Sequence, residues 1–344
     1  MRVLIRTDAG GSHGLGHATR CLALARELRV RGSEVRFVTR TLALRDFCGD
    51  AFAYETSLDD YGEHCLLAEA LYRWEASVLI LDTKYSYDDA WLHYLDDNVC
   101  NIVRIDHQTA REESCSLLVA PVAHWDTATV SRLRHDFGER FLYGWDYVIL
   151  DDAVTRQAPI PYSERAPHIV LCAGGSDPTG ALDQMYAWTD GMQIDAKMLF
   201  CFGAQSHGTL RQRYDAVGGE SLCTSGNRYI VPFHRDYLRQ ASLVVCMFGV
   251  TCYECLSYRT PALILAHTDE NVHGAWGLEA ASYGAAHALG HMSDHDASSF
   301  RSCLSAWYHV SGGIYARQHM HDASAGLMDG HGVQRVAEAI LTLV

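Results

Sequence analysis

No stretch of this 344-residue sequence approaches the roughly 18 consecutive apolar residues that a membrane span needs. The start of the chain also lacks the uninterrupted apolar core of a signal peptide, because Arg2, Arg6 and Asp8 break up the run around Val3-Leu4-Ile5. These absences predict a cytoplasmic protein with no membrane span. A basic excess is missing as well: 28 Lys+Arg against 42 Asp+Glu give a formal net charge of −14, which argues against nucleic acid as a partner. A nucleotide remains compatible, since one pocket can be locally positive on an acidic protein. Proline is scarce, and three of the seven prolines (Pro159, Pro161, Pro167) cluster in one place. Several catalytic signatures are absent: a Gly-x-Ser-x-Gly elbow, the protein-kinase set, a Walker A Gly-Lys-Ser/Thr and an His-Glu-x-x-His core. Cysteine is not rare, with 12, but the single Cys-x-x-Cys, Cys252 and Cys255, has no second pair beside it. That excludes the usual zinc spacing, and scattered thiols in a chain this long read as reduced. No metal and no resident cofactor is expected.

What is present is a rhythm of strands and helices. Val3–Ile5, Glu34–Thr39, Ser77–Asp82, Asn101–Asp106 and Ser116–Ala120 read as strands, with helices over about Ala18–Arg31 and His64–Trp74. Gly32 is a typical helix stop. Continuous apolar runs such as Val78-Leu-Ile-Leu81 are the kind buried on both faces of a parallel sheet. Residues 157–167 have the composition of an interdomain linker. The alternation then restarts with strands at Ile169–Cys172, Lys197–Phe202, Tyr229–Val231, Leu243–Met247 and Ala262–Leu265, and ends on an amphipathic helix from Gly332. The expectation is an α/β protein of two Rossmann-like domains with parallel sheets and a ligand cleft between them. The domains are 1–157 and 168–328, joined by the linker 158–167, with 329–344 a terminal helix.

Four glycine or polar turns follow strands. The first, Asp8-Ala-Gly-Gly-Ser-His-Gly14-Leu-Gly16-His17-Ala-Thr-Arg20, leads from a strand into a helix, an arrangement that aims backbone N–H groups and a positive helix end at an anion. It places an imidazole, His17, at the helix start. The second, Gly249-Val250-Thr251-Cys-Tyr-Glu254, admits two readings: Thr251 and Glu254 as a capping box, or a helix start that holds a diphosphate while Glu254 accepts hydrogen bonds from a ribose diol. The third, Ala266–His273, is expected as a polar loop with two readings: its Glu270 and Asn271 contact a sugar, or its polarity reflects solvent exposure alone. Asp82, Tyr85, Asp106 and His107 end strands of the first half on the same rim as His17, and Gly174-Gly175-Ser176-Asp-Pro178 forms another strand-to-glycine turn.

Five stretches, in order along the chain, resemble the PseG/SpsG-type nucleotide-sugar hydrolases, which include the UDP-sugar hydrolase of pseudaminic acid biosynthesis. They are Arg6-Thr-Asp8…Gly14-Leu-Gly16-His17-Ala-Thr-Arg20, Ile105-Asp-His…Cys115-Ser-Leu-Leu, Gly174–Pro178, Gly249-x-Thr251-x-x-Glu254 and Asp329-Gly-x-Gly332-x-x-Arg335-Val. The resemblance implies a GT-B fold related to the glycosyltransferase MurG, a C-terminal domain that binds UDP, and a last helix that packs back on the N-terminal domain. It implies His17 as the base that takes a proton from water as that water attacks and inverts the anomeric carbon, expelling UDP without a metal. An imidazole, with an ordinary pKa of about 6.5, suits that task. Asp8, ending the first strand, is expected to orient the imidazole, and the helix starts near Gly174–Ser176 and Gly249–Thr251 to stabilise the leaving diphosphate. Two positions depart from the family pattern: Val272 where many members carry Gln, and His107 where an acidic residue is common. The alternatives are a GT-B glycosyltransferase using the same nucleotide-sugar with a hydroxyl acceptor, and a nucleotide-sugar-binding protein without activity.

Overall fold

The computed structural model describes residues 1–11, 14–49, 52–56, 62–219, 222–309 and 311–344, and its chain divides into two compact units. The first is Met1–Asp152 together with Asp329–Val344; the second is Ala153–Met328. Among the described residues each unit carries a seven-stranded sheet.

In the first unit the strands are β1 (Arg2–Thr7), β2 (Glu34–Thr39), β3 (Ala53–Thr56), β4 (Val78–Asp82), β5 (Asn101–Ile105), β6 (Leu117–Ala120) and β7 (Phe141–Tyr143). Their order is β3-β2-β1-β4-β5-β6-β7 and every pairing is parallel. All five residues of β4 are buried, as its unbroken apolar run predicts for a central parallel strand. β1 and β4 are neighbours with Thr7 opposite Asp82, so their carboxyl ends lie side by side. The helix Gly16–Val30 follows β1 directly and buries Ala18, Cys21, Leu22, Leu24, Ala25 and Leu28. It ends where Gly32, at φ 87°, turns its N–H back to the Arg29 carbonyl.

In the second unit the strands are β8 (Ala166–Cys172), β9 (Lys197–Phe202), β10 (Leu222–Ser225), β11 (Arg228–Pro232), β12 (Ala241–Met247), β13 (Ala262–Ala266) and β14 (Ala286–His291), in the order β10-β11-β9-β8-β12-β13-β14. β10 pairs antiparallel with β11; the rest are parallel. Residues 157–167 differ from the expected linker. Ala166 and Pro167 already belong to β8, with Ala166 opposite Ala241. Arg165 is buried and donates to the carbonyls of Arg239, Ala241 and Tyr258 and to the Thr260 hydroxyl. A guanidinium sunk among these acceptors and the Arg259 carbonyl anchors this segment into the second unit.

The terminal helix Gly332–Leu341 belongs to the first unit. Val333, Val336, Ala337 and Ile340 join the core formed with Val3, Ile5, Leu24 and Leu28. The helix starts so close to the chain that a Cβ at Gly332 would lie 2.1 Å from the Val148 carbonyl oxygen. Ile340 is fully buried, so Ile340→Ala is expected to destabilise the protein by about 2–5 kcal/mol. Urea unfolding of the variant beside the parent chain measures this.

Candidate active site

In the first unit the polar centre is Asp82, the last residue of β4, with no exposed side-chain surface. The glycine turn after β1 brings the helix Gly16–Val30 against it. Gly10 donates its N–H to the Gly14 carbonyl at 2.7 Å, and Gly14 takes a φ of 70° that an L side chain adopts only with strain. Leu15 precedes the helix and no side chain caps it. His17, Arg20 and Cys21 are spaced i, i+3 and i+4, which puts them on one helical face. All three reach Asp82. Arg20 grips it with two nitrogens, Nε to Oδ2 and Nη2 to Oδ1, both at 2.6 Å. His17 Nδ1 lies 2.5 Å from Oδ1, and Cys21 Sγ donates to Oδ2 at 3.3 Å.

The charges follow from this geometry. Burial alone would raise the Asp82 carboxyl, but the Arg20 guanidinium and the His17 imidazole overcome it and hold the group well below the usual carboxylate range. Arg20 is pushed up: burial opposes its charge, and Asp82 and Asp106 more than offset that. An ionised Asp82 only accepts hydrogen bonds, so Nδ1 of His17 carries the proton. The 3.1 Å approach of Arg20 Nη2 to the same Nδ1 is then two donors converging on one oxygen. Nε2 is left as the basic nitrogen, without a partner among the described residues. A carboxylate that fixes the tautomer of an imidazole whose other nitrogen is free to take a proton is the arrangement of a general base.

The structure therefore gathers His17, Arg20, Asp82 and Asp106, whose carboxylate takes Arg20 Nη1 at 3.0 Å. Asp106 sits at φ 64°, a left-handed conformation costly outside glycine. The expected role of Asp8 does not hold. Its carboxylate pairs with Arg6 at 2.8 Å and accepts from the Arg40 N–H and the Thr39 and Thr83 hydroxyls. It ties the ends of β1, β2 and β4 together while Asp82 meets the imidazole. Tyr85 stands in an aromatic group with His64, Tyr87 and Trp91, and Arg40 lies over its ring. His107 adjoins the cluster; burial first, then Arg104, push its imidazole down to about 4. His124, which belongs to none of the motifs, is pushed down to about 4 by the same loss of solvent, with Asp106 and Arg20 nearby. Its signal was its position in the loop after a parallel strand, where such folds place functional groups.

In the second unit the two glycine turns differ. After β8, Gly174 and Gly175 crowd Gly203, where a Cβ would lie 2.3 Å from the Gly175 oxygen. The next helix, Ala181–Trp188, has its first amides taken by Asp177, which accepts from Ala181 and Leu182. A carboxylate thus fills the helix start expected to serve a phosphate, and Ser176 is buried beside it. After β12 the situation reverses. The helix Val250–Ser257 begins at Gly249 with no side-chain cap, and the space where a Gly249 Cβ would stand is open. The capping-box reading fails: Thr251 lies inside the helix, and Glu254 pairs with Arg235 at 3.0 Å. Glu270 and Asn271 are not in a loop but in the first turn of the helix Asp269–Ala281, whose cap Thr268 accepts from the Asn271 N–H. The strand before it runs to Ala266, one residue beyond the expected Leu265, and Thr268-Asp269-Glu270 opens the helix. Among the described residues no three His, Cys, Asp or Glu side chains are grouped to hold a metal.

Two Rossmann-like units of this topology define the GT-B fold, and solved structures match it over essentially the whole chain. Acinetobacter baumannii MurG superposes with a TM-score of 0.63 at 12% identity, covering 99% of this chain and 100% of that one. S. aureus MnaA, solved with UDP, gives 0.64 at 13%, covering 100% and 98%. The spinosyn rhamnosyltransferase SpnG, complexed with spinosyn aglycone, gives 0.62 at 14%, covering 98% and 100%. No protein-family sequence model matches the chain, and no curated protein matches it in sequence.

His107 and His124 make acid sensitivity predictable. Folded, they stay neutral down to about pH 4; unfolded, they take protons near pH 6.5. Between those values the unfolded chain binds more protons, so their contribution to stability is lost as pH falls from about 6.5 to 4. Denaturant midpoints are expected to drop over that range, and to drop less in His107→Gln and His124→Gln; identical slopes in the variants would refute the assignment.

Proposed function

We propose that this protein acts on a nucleotide-activated sugar, with the second unit holding the nucleoside diphosphate and the first supplying the base. The observation that carries the reading is the His17–Asp82 pair, an oriented imidazole at an uncapped helix start. In the step envisaged, Nε2 of His17 takes a proton from water as the water oxygen bonds to the anomeric carbon. The bond from that carbon to the diphosphate oxygen breaks, its electron pair leaves with the nucleotide, and the centre inverts. Asp82 steadies the imidazolium that forms. The amides at Gly249, Val250 and Thr251, the uncapped helix start of the second unit, suit the developing charge on the diphosphate, and Glu254 suits a ribose diol. Arg20 keeps Asp82 ionised and in place. The products are a free sugar and a nucleoside diphosphate, UDP by the resemblance, with no metal taking part.

A second reading, transfer to a hydroxyl acceptor, is favoured by one observation: half-buried Tyr85, Trp91 and His64, backed by the buried Tyr87, offer aromatic surface of the kind that binds sugars and other bulky acceptors. SpnG, similar in fold, was solved with an aglycone. The base and its proton transfer are the same in both readings.

Incubating the protein with a panel of UDP-sugars in ¹⁸O-water separates them. Label in the sugar hydroxyl is expected; label in the phosphate overturns attack at carbon, and nucleotide release only after an acceptor is added selects transfer. His17→Asn is expected to slow turnover by about 10²–10⁴-fold while UDP still binds by calorimetry. Activity that persists through chelator treatment is also expected.

A further inference from the structure

Glu254 poses a problem that the helix around it does not solve. Its side chain is only 6% exposed, and a buried carboxylate is strongly unfavourable unless a cation or donors meet it. The cation is Arg235, whose Nε donates to Oε1 at 3.0 Å. Arg235 is the first residue of the helix Arg235–Gln240, directly after β11, whereas Glu254 lies in the helix after β12. Phe233 ties the intervening turn to the sheet through its N–H to the Phe202 carbonyl at 2.9 Å, and His234 caps the short helix by accepting from Asp236. The neighbouring Asp236 is engaged by Arg239. The guanidinium of Arg235 is therefore presented from a fixed backbone, and its Nε meets Oε1 of the carboxylate.

That contact sets the rotation of the carboxyl group. A vicinal diol binds a carboxylate best when both hydroxyls meet it in one plane, so the benefit of the second hydroxyl depends on how firmly the carboxylate is held. We propose that Arg235 is the positioning residue that makes the nucleotide site select ribonucleotides over 2′-deoxyribonucleotides, by holding Glu254 in register for the 2′- and 3′-hydroxyls. This rests on the reading that Glu254 meets the ribose. Without the guanidinium, Glu254 turns toward other donors and a ribose gains little over a deoxyribose. A site built around a hydroxyl rejects the analogue lacking it far better than a loose one does.

The test is calorimetric titration of the full chain and its variants with UDP and with 2′-deoxy-UDP. The parent protein is expected to prefer UDP by about tenfold or more. Glu254→Gln should bring the preference close to one. Arg235→Gln should weaken UDP by about tenfold and 2′-deoxy-UDP by less than threefold, and Arg235→Lys, which restores charge without the planar fork, should recover part of the preference. The double variant should match Glu254→Gln alone, because the arginine acts only through the carboxylate. If Arg235→Gln keeps the full preference while Glu254→Gln loses it, the positioning role is overturned and the ribose reading stands. Equal weakening of both nucleotides by Arg235→Gln also overturns it, as a general structural effect would do that. If Glu254→Gln itself keeps the preference, the ribose reading fails and the inference falls with it.

Discussion

A carboxylate with no contact to solvent has to be met by charge, and at Asp82 that requirement organises the first unit's polar centre. β4 is apolar up to its last residue, so its terminal aspartate emerges inside the protein rather than outside it. Arg20 answers with a two-nitrogen grip, and the helical spacing that delivers Arg20 also delivers His17 one turn earlier. Removing one member of such a set leaves the others with unmatched charge. The imidazole is thus oriented by a pairing the fold needs in any case, and no separate device is required to aim it.

The second unit distributes its helix starts by the same logic. The helices beginning at Ala181, Thr209, Asp269 and Ala297 have their first amides satisfied by Asp177, Asp183, Thr268 and Asp296. The helix at Val250 has no such side chain. A free helix start keeps its positive end and its unpaired N–H groups available to an anion. The capping pattern thus discriminates between two glycine turns that look alike in sequence. Asp177, two residues after the Gly174-Gly175 turn, supplies an internal carboxylate where Gly249 has none.

Most of the fold was legible because long apolar runs between helices leave few alternatives. β1, β4, β8, β12 and β13 fall where continuous Val, Ile and Leu place them. The strands that escaped are the short or mixed ones. β3, β7 and β10 have four, three and four residues, and β14 reads Ala-His-Ala-Leu-Gly-His, an alternation with a glycine and two histidines that lacks any apolar run. Pairing to an already formed sheet, not intrinsic pattern, makes such segments strands. At the site, His17, Arg20, Asp82 and Asp106 were legible as strand-end and glycine-turn residues. Their partnership was not, because it depends on which strand end faces the helix. Asp8 and Asp82 end neighbouring strands and both are buried; sequence distance from His17 favoured the wrong one. Arg235 had no signal at all, since a single arginine after a strand looks like any solvated charge until Glu254 is seen beside it.

The separation of Asp8 from Asp82 bears on how this unit tolerates change. Arg6, Asp8 and Glu63 form a buried ionic set, with Arg6 Nε on Glu63 at 2.5 Å and the Tyr87 hydroxyl on the same oxygen. Through Thr83 and Tyr87 this set grips the segment that leaves β4 immediately after Asp82. The position of Asp82 is therefore fixed from two sides: by Arg20 and His17 on the helix, and by the backbone that the Arg6 network restrains. The base role proposed for His17 would gain from such redundancy, because the imidazole could exchange its proton while its anchor stays still. On the proposed reading, the buried ionic set around Arg6 supports His17 through the backbone that follows Asp82.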